Sequence, residues 1–339
     1  MQRGPIKVVE SAGSAVVYGG FVVEPASTKR HMNVSGAATA VGLLMAICVL
    51  TVIARPDVAT DFGVTLLLGP ALPLVFASLA QMVIILVGDF DMGVGYAIGL
   101  VNVITATALV THPWFGFGLM VIVVLAYVGM GAIVEYFRIP AIVITLGASF
   151  IWLGVGLSIQ PEPGGSAPGW LEQVGNATLP VIPEGVYIII GAAIASWWIL
   201  KVWRYGVVLR GLGNSRAALV NSGWSPLATR MAAYALAGVL VDLGGLLTTS
   251  VTTSADVNAS ATLTLVTFAV VIIGGCQFRG GIVEPVGVVA AAVAFSLLAS
   301  LLAFWNVSSS WNTAVEGLIL VLAVSIKRIA QWFGLLWSR

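Results

Sequence analysis

The sequence predicts an all-α integral membrane protein of about ten transmembrane helices, with N- and C-termini in the cytoplasm. Three observations carry this. Lys, Arg, Asp and Glu make up 9% of the 339 residues, against roughly 25% in a soluble domain. Hydrophobic residues make up 59% and mean hydropathy is +1.04. The apolar residues fall in runs of about 20, the length that crosses a bilayer as a helix. So few charges cannot cover the surface of a water-soluble globule of this size. Ten spans would use roughly 200 residues, which leaves loops and tails and no large soluble domain.

The first run is 36–54, followed by 64–87, 93–111, 115–134 and 139–160. A polar stretch rich in Pro and Gly, 160–185, interrupts. Further runs lie at 186–203, 231–248, 261–275, 285–305 and 311–326. The run at 261–275 is short, and the one at 64–87 carries Pro70 and Pro73. Short or interrupted spans often line a pathway, because freed backbone groups need a cavity or a neighbouring helix.

The positive charges orient the chain. With ten crossings and the N-terminus inside, Arg3, Lys7, Lys29, Arg30, Arg138, Lys201, Arg204, Arg210, Arg216, Arg230, Arg279, Lys327, Arg328 and Arg339 are cytoplasmic. Arg55 alone falls outside. An odd number of spans would scatter them. The outer loop 160–185 carries Glu162, Glu172 and Glu184 and no base. Trp197, Trp198, Trp203, Trp332 and Trp337 read as interfacial anchors. Residues 1–35 form a cytoplasmic tail with no apolar core near the start, so no secretory signal is expected. Residues 36–328 form the membrane domain, and 329–339 a second cytoplasmic tail.

The totals exclude several function classes. A net charge of +1 argues against nucleic acid as a partner. Cys48 and Cys276 have no metal-ligand or CxxC spacing, and His31 and His112 are isolated, so no metal site is expected. No nucleophile–base constellation marks a catalytic residue. The chain lacks a Gly-rich loop ending in Lys-Ser/Thr. It is therefore expected to hold no cofactor of its own.

The longest cytoplasmic loop runs from about 204 to 229. Asn214 or Ser215 can cap a short helix over Arg216–Asn221, which Gly223 would end, with Pro226 soon after. Two turns are not stable alone, so such a helix is either a frayed connector or is ordered by docking.

Several segments then resemble a known family. Gly88-Asp89-Phe90-Asp91-Met92-Gly93-Val94-Gly95 is similar to the Gly-Gly-Ile-Asp-Leu-Ser-Val-Gly stretch of bacterial ABC-importer permeases for ribose and related sugars. Ile139 to Gly147 resembles that family's Pro-Pro-Phe-Ile-Val-Thr-Leu-Gly stretch. Gly213-Asn214 through Gly223 resembles its cytoplasmic loop, and Val270 to Gly281 its Val-Val-Leu-Gly-Gly…Ser-Gly-Gly segment. Trp311 to Ala323 resembles its closing helix. The matches run in family order from about residue 60 to 328. The broader family includes permeases for branched-chain amino acids.

The resemblance implies a permease subunit of a binding-protein-dependent importer in the bacterial inner membrane, moving a monosaccharide, pentose or polyol. Its partners would be two ATPase subunits, which hold ATP and Mg2+, a periplasmic binding protein, and a second permease subunit. The 214–223 segment would then be the coupling helix, with Asn214, Ser215, Arg216, Ala217, Ala218, Leu219, Gly223 and Trp224 meeting the ATPase. The chain departs from the pattern in places. Ser215 and Arg216 stand where the family carries paired acids, Asp89 replaces a glycine, and Gly93 a serine. These departures argue against a simple homodimer and suit pairing with a second, non-identical permease.

Asp242 and Glu316 stand in or beside apolar runs, where a charge costs at least a few kcal/mol. Either they face a cavity and bind a polyhydroxyl solute or a cation, or Asp242 bonds a neighbouring helix and Glu316 reaches water. Asp91 matches the family aspartate and can cap the helix that starts near Gly93. Gln81, Asn102, Thr145, Ser149 and Trp152 are further candidates for lining the pathway, since sugars bind through amides, hydroxyls and stacked aromatics. Helix packing is the competing role for each. The functional alternative is an ion-coupled secondary transporter using Asp242 or Glu316. A permease for branched-chain amino acids or nucleosides is a third possibility.

Overall fold

The computed structural model describes residues 16–18, 21–23, 36–171, 183–305, 314, 317 and 318. They fall into two units, Met1–Val34 and Ser35–Arg339. In the first, strands β1 (Val16–Tyr18) and β2 (Phe21–Val23) pair antiparallel, with Val17 opposite Val22. Three-residue strands are too short to register in hydropathy, so nothing in the sequence marks them within the expected tail.

The second unit is helical. Helix α1 (Gly36–Ala54) leads through a turn to α2 (Asp61–Leu68), whose first turn is capped by the Thr60 hydroxyl accepting from the Gly63 amide at 3.1 Å. Helix α3 (Ala71–Leu86) follows, bent 40° from α2 across Gly69-Pro70. Pro70 has no N–H to continue the ladder, so the run expected at 64–87 is two helices with a bend between them. Then come α4 (Val94–Ala106), α5 (Ala108–Thr111), α6 (Pro113–Phe137) and α7 (Ala141–Ile159). Arg138, with φ of 57°, ends α6, and Pro140 precedes α7. Helix α8 (Glu184–Trp197) runs into a single wide turn, Trp198–Val202. Helices α9 (Arg204–Asn214) and α10 (Arg216–Asn221) occupy the basic connection, and α11 (Pro226–Thr252), α12 (Leu263–Ile273) and α13 (Pro285–Phe304) complete the unit.

Among the described residues, seven helices are long and apolar enough to cross a membrane, or eight if the bent pair α2–α3 is one span. Helix α12 is apolar but only 11 residues long. The expected run at 311–326 lies almost wholly outside the described residues, and Glu316 with it. The chain is thus a multi-pass membrane protein whose second unit is all-α among the described residues. The loop expected over 204–229 is a correction: its first half is the helix α9, with Leu209 and Leu212 buried on one face. Arg204 and Arg210 on the remaining surface make that run too polar to register as a span.

Every residue of α3 is buried, which makes it the axis of the bundle. By contrast α1, α6 and α7 turn Ile53, Leu125 and Phe150 outward. Such faces are stable against lipid chains and not against water. Helix α11 runs antiparallel to α3. Gly69 lies against Val251, Phe76 against Gly244, and Asp89 bonds Arg230, so one register holds along the whole pair. Small residues let the helices approach: a Cβ on Gly238 would sit 3.2 Å from the Cβ of Tyr127.

Candidate functional site

Two arrangements of polar groups stand out. The first is at the basic end of the bundle, where α3 stops and α4 has not begun. Gly88 takes φ of +87°, a conformation open to glycine, and the chain turns through residues 88–93. Thr145 on α7 closes this break: its hydroxyl donates to the Phe90 carbonyl at 3.1 Å and accepts from the Met92 amide at 3.0 Å. Asp91 is buried, and its carboxylate accepts from the Gly93 amide at 2.7 Å and from the Tyr127 hydroxyl at 2.8 Å. Burial pushes its carboxyl up to about 6, against the opposing pull of those two donors. Asp91 therefore fixes the residue before α4, not the helix's first turn. The Gly95 amide is instead taken by the Thr264 hydroxyl at 3.0 Å.

The same break meets the basic connection. Gly213 packs against the Leu86 carbonyl and the Gly280-Gly281 backbone, and Asn214 touches Gly281. The Gly281 amide donates to the Leu86 carbonyl at 2.9 Å. Helix α10 begins two residues after Asn214. Ser215 caps it, accepting from the Ala218 amide at 3.2 Å, and Gly223 with φ of +80° follows its end. Leu219 is its buried residue, while Arg216, Ala217, Ala218, Val220 and Trp224 are exposed. The four stretches around 88–95, 139–147, 213–223 and 270–281 are remote in sequence and converge here.

A network of ions spans this end. The Arg216 Nε and Nη2 donate to Glu135 Oε1 at 2.9 and 2.8 Å. Arg230 Nε donates to Glu135 Oε2 at 2.9 Å, and its Nη1 pairs with Asp89 Oδ2. Tyr234 Oη adds a bond to that oxygen at 3.1 Å. Separately, Lys201 pairs with Glu284 at 2.9 Å. Glu135 was not among the residues singled out from sequence. Its signal was available: it is one of few acids beside the basic loops, and each of Asp89, Glu135 and Glu284 finds a cation there.

The second arrangement lies deeper. Ser78 Oγ, Gln81 Nε2 and Oε1, Trp152 Nε1 and Asp242 Oδ1 are buried with no hydrogen-bond partner among the described residues. The register of α3 on α11 sets Ser78 at the height of Asp242, with Gln81 a turn nearer the basic end. Trp152 stacks on Tyr127 at 6.3 Å, and Tyr127 packs on Gly238, one turn from Asp242 on the same face of α11. Unsatisfied buried polar groups cost about 1–3 kcal/mol each. They lie on α3, α7 and α11.

Other candidates are committed elsewhere. The Ser149 hydroxyl donates to the Leu146 carbonyl at 2.6 Å. Asn102 Nδ2 donates to Thr249 Oγ1 at 2.8 Å and to the Ser254 carbonyl at 2.9 Å, and its Oδ1 accepts from the Asp256 amide at 2.9 Å. Asn102 therefore staples the connection after α11.

Residues 63–324 match the family described as "Branched-chain amino acid transport system / permease component". The chain belongs to this permease family. The permease is 26% identical over 272 residues to the probable ABC transporter permease protein y4mJ of Sinorhizobium fredii, covering 76% of this chain and 79% of the relative. It is 27% identical over 259 residues to the galactose/methyl galactoside import permease MglC of Haemophilus influenzae, covering 70% and 77%. Against the ribose import permease RbsC of the same organism it is 26% identical over 253 residues, covering 71% and 77%. No solved structure matches. As a family member the permease is a transport subunit and not an enzyme.

Proposed function

We propose that this permease is the membrane-spanning subunit of a binding-protein-dependent ABC importer that carries a monosaccharide, pentose or polyol across the bacterial inner membrane. The observation that carries the reading is α10: a two-turn helix, capped and ended within the chain, that offers Ala217, Ala218 and Val220 outward from the basic end, with Trp224 exposed just beyond it. Such a helix is unlike a span and unlike a frayed connector, and it suits insertion into a partner's groove. The sugar importers among its relatives supply the substrate class. Two ATPase subunits would hold ATP and Mg2+ and drive α10, and a periplasmic binding protein would deliver the solute. The membrane domain would pair with a second permease, identical or not, with ten spans and both termini cytoplasmic.

Gln81, Trp152 and Asp242, joined by Ser78, are the residues assigned to the solute. Together they offer an indole N–H, an amide, a hydroxyl and a carboxylate, the groups that hold sugar hydroxyls. ATP binding would close the ATPases, shift α10, and turn the pathway from the outer face to the inner one.

A pull-down from the native host, read by mass spectrometry, tests this. An ATPase recovered with the tagged permease supports the importer, and a second permease alongside it indicates a heterodimer. No ATPase, even after crosslinking, would overturn it. Asp242, a buried acid with an unpartnered oxygen, supports a second reading: an ion-coupled secondary transporter. That protein would accumulate solute alone in vesicles with an ion gradient.

A further inference from the structure

The connection between α10 and the 88–93 break is ionic and buried except at Arg216. We infer that Glu135 and Arg230 are positioning residues for coupling: they tie Arg216 on α10 to Asp89 in the break, so that a movement of α10 is felt where α3 ends and α4 begins. The importer reading supplies what moves α10. The connection itself does not depend on it.

Glu135 gives one oxygen to each arginine, Oε1 to Arg216 and Oε2 to Arg230. Arg230 in turn holds Glu135 through Nε and Asp89 through Nη1. Two cations and two carboxylates balance, and four separate segments are joined by them. Side-chain exposure falls from 44% at Arg216 to 13% at Arg230, 9% at Asp89 and 5% at Glu135. The chain of ions thus has one accessible end, on the helix that faces outward. A buried carboxylate stripped of its cation is strongly disfavoured, so Glu135 follows its arginines and is not left behind. Helix α10 is too short to hold itself in place. Leu219 and the Arg216–Glu135 pair help to seat it.

A second contact reaches the same place. Gly213, just before α10, is lodged between the Leu86 carbonyl and Gly281. One link is steric and one electrostatic, and both end on residues 86–89. The break then fixes the start of α4 through Asp91, Gly93 and Thr145. The two sequence departures noted above, Asp89 and Arg216, are the two ends of this network.

Hydrogen exchange read by mass spectrometry, on the full-length permease in lipid nanodiscs, tests the inference. R216A removes the exposed end and both donors to Glu135 Oε1, and leaves the Glu135–Arg230 and Arg230–Asp89 pairs in place. It is expected to speed exchange of the 86–93 amides by on the order of fivefold or more, the lower range of ordinary coupling between sites. E135Q should loosen both 86–93 and 216–221, and R216K should restore near wild-type rates. Faster exchange confined to 214–223 in R216A would overturn the inference, as would an equal rise in α13, which would mean general loosening. Where an ATPase co-purifies, R216A should lower uptake of D-ribose, used as the probe, more than it lowers ATP hydrolysis. A wild-type permease that recovers no ATPase would sink the importer reading while the exchange result stands.

Discussion

Gly213 is lodged against the backbone of Leu86: a Cβ at residue 213 would clash with the Leu86 carbonyl oxygen and lie 2.5 Å from the Gly281 nitrogen. Backbone atoms cannot swing aside as a side chain would. Gly213→Ala should therefore destabilise the permease by about 1–3 kcal/mol, the usual range for overpacking. The thermal midpoint in detergent reads this. Gly118→Ala is the control, because nothing lies within 4 Å of a Cβ there. It should be neutral or slightly stabilising, since alanine suits a helix interior better. Equal midpoints for the two variants would refute the close packing.

Asp91 predicts a pH dependence. Burial raises its carboxyl from the ordinary value to about 6 in the fold. The native state then holds a proton that the unfolded chain has released, so this group's contribution is full below about pH 4 and is lost as pH rises through about 6. A shift of that size corresponds to roughly 3 kcal/mol. Asp91→Asn should remove the dependence, so the stability difference between variant and wild type should change between pH 4 and pH 6 and be flat above about pH 7. Tyr127→Phe, which takes away the 2.8 Å hydroxyl donor, should steepen it. A difference independent of pH would mean that Asp91 is not buried as described.

Ala217 and Ala218 are exposed on α10 and small enough to sit in a groove. Replacing both with glutamate would force two charges into a desolvated contact at a cost of about 3 kcal/mol or more, upward of ~100-fold in affinity. The double variant should stay in the membrane at wild-type levels and lose any co-purifying ATPase. Retained ATPase with normal uptake would remove α10 from the coupling role.

The helices were legible because bilayer-length apolar runs leave few alternatives. The bend at Pro70 and the capped helix from Arg216 to Asn221 were legible too, since each follows from local chemistry at Gly69-Pro70 and at Ser215 and Gly223. Helix α9 was not, because its arginines hide its half-buried face from a hydropathy scan. The roles of Thr145 and Asn102 were not readable either. A polar residue in an apolar run looks the same whether it faces a pathway or, like Asn102, bonds a backbone about 150 positions away. Glu135 is legible as an acid beside the basic loops, but its partners are not. Its meaning lies in Arg216 and Arg230, 81 and 95 positions further along the chain.

Asp242 offers the sharpest separation between a packing role and a transport role. Its Oδ1 is buried with no partner among the described residues, on a helix packed against the fully buried α3. If Asp242 served packing alone, leucine would fill the site and relieve the unsatisfied acceptor. Asp242→Leu should then raise stability by about 1–3 kcal/mol and leave uptake unchanged. The solute-binding role predicts the same gain in stability together with a loss of uptake of at least tenfold, while an associated ATPase remains bound. Asp242→Asn distinguishes the two transport readings. It keeps a hydrogen-bonding group of the same shape, so a sugar pathway should retain partial uptake, whereas a carrier that moves a proton or sodium ion on that carboxylate should stop altogether. ATP-driven and gradient-driven uptake of D-ribose, measured side by side in vesicles carrying each variant, gives the four rates needed.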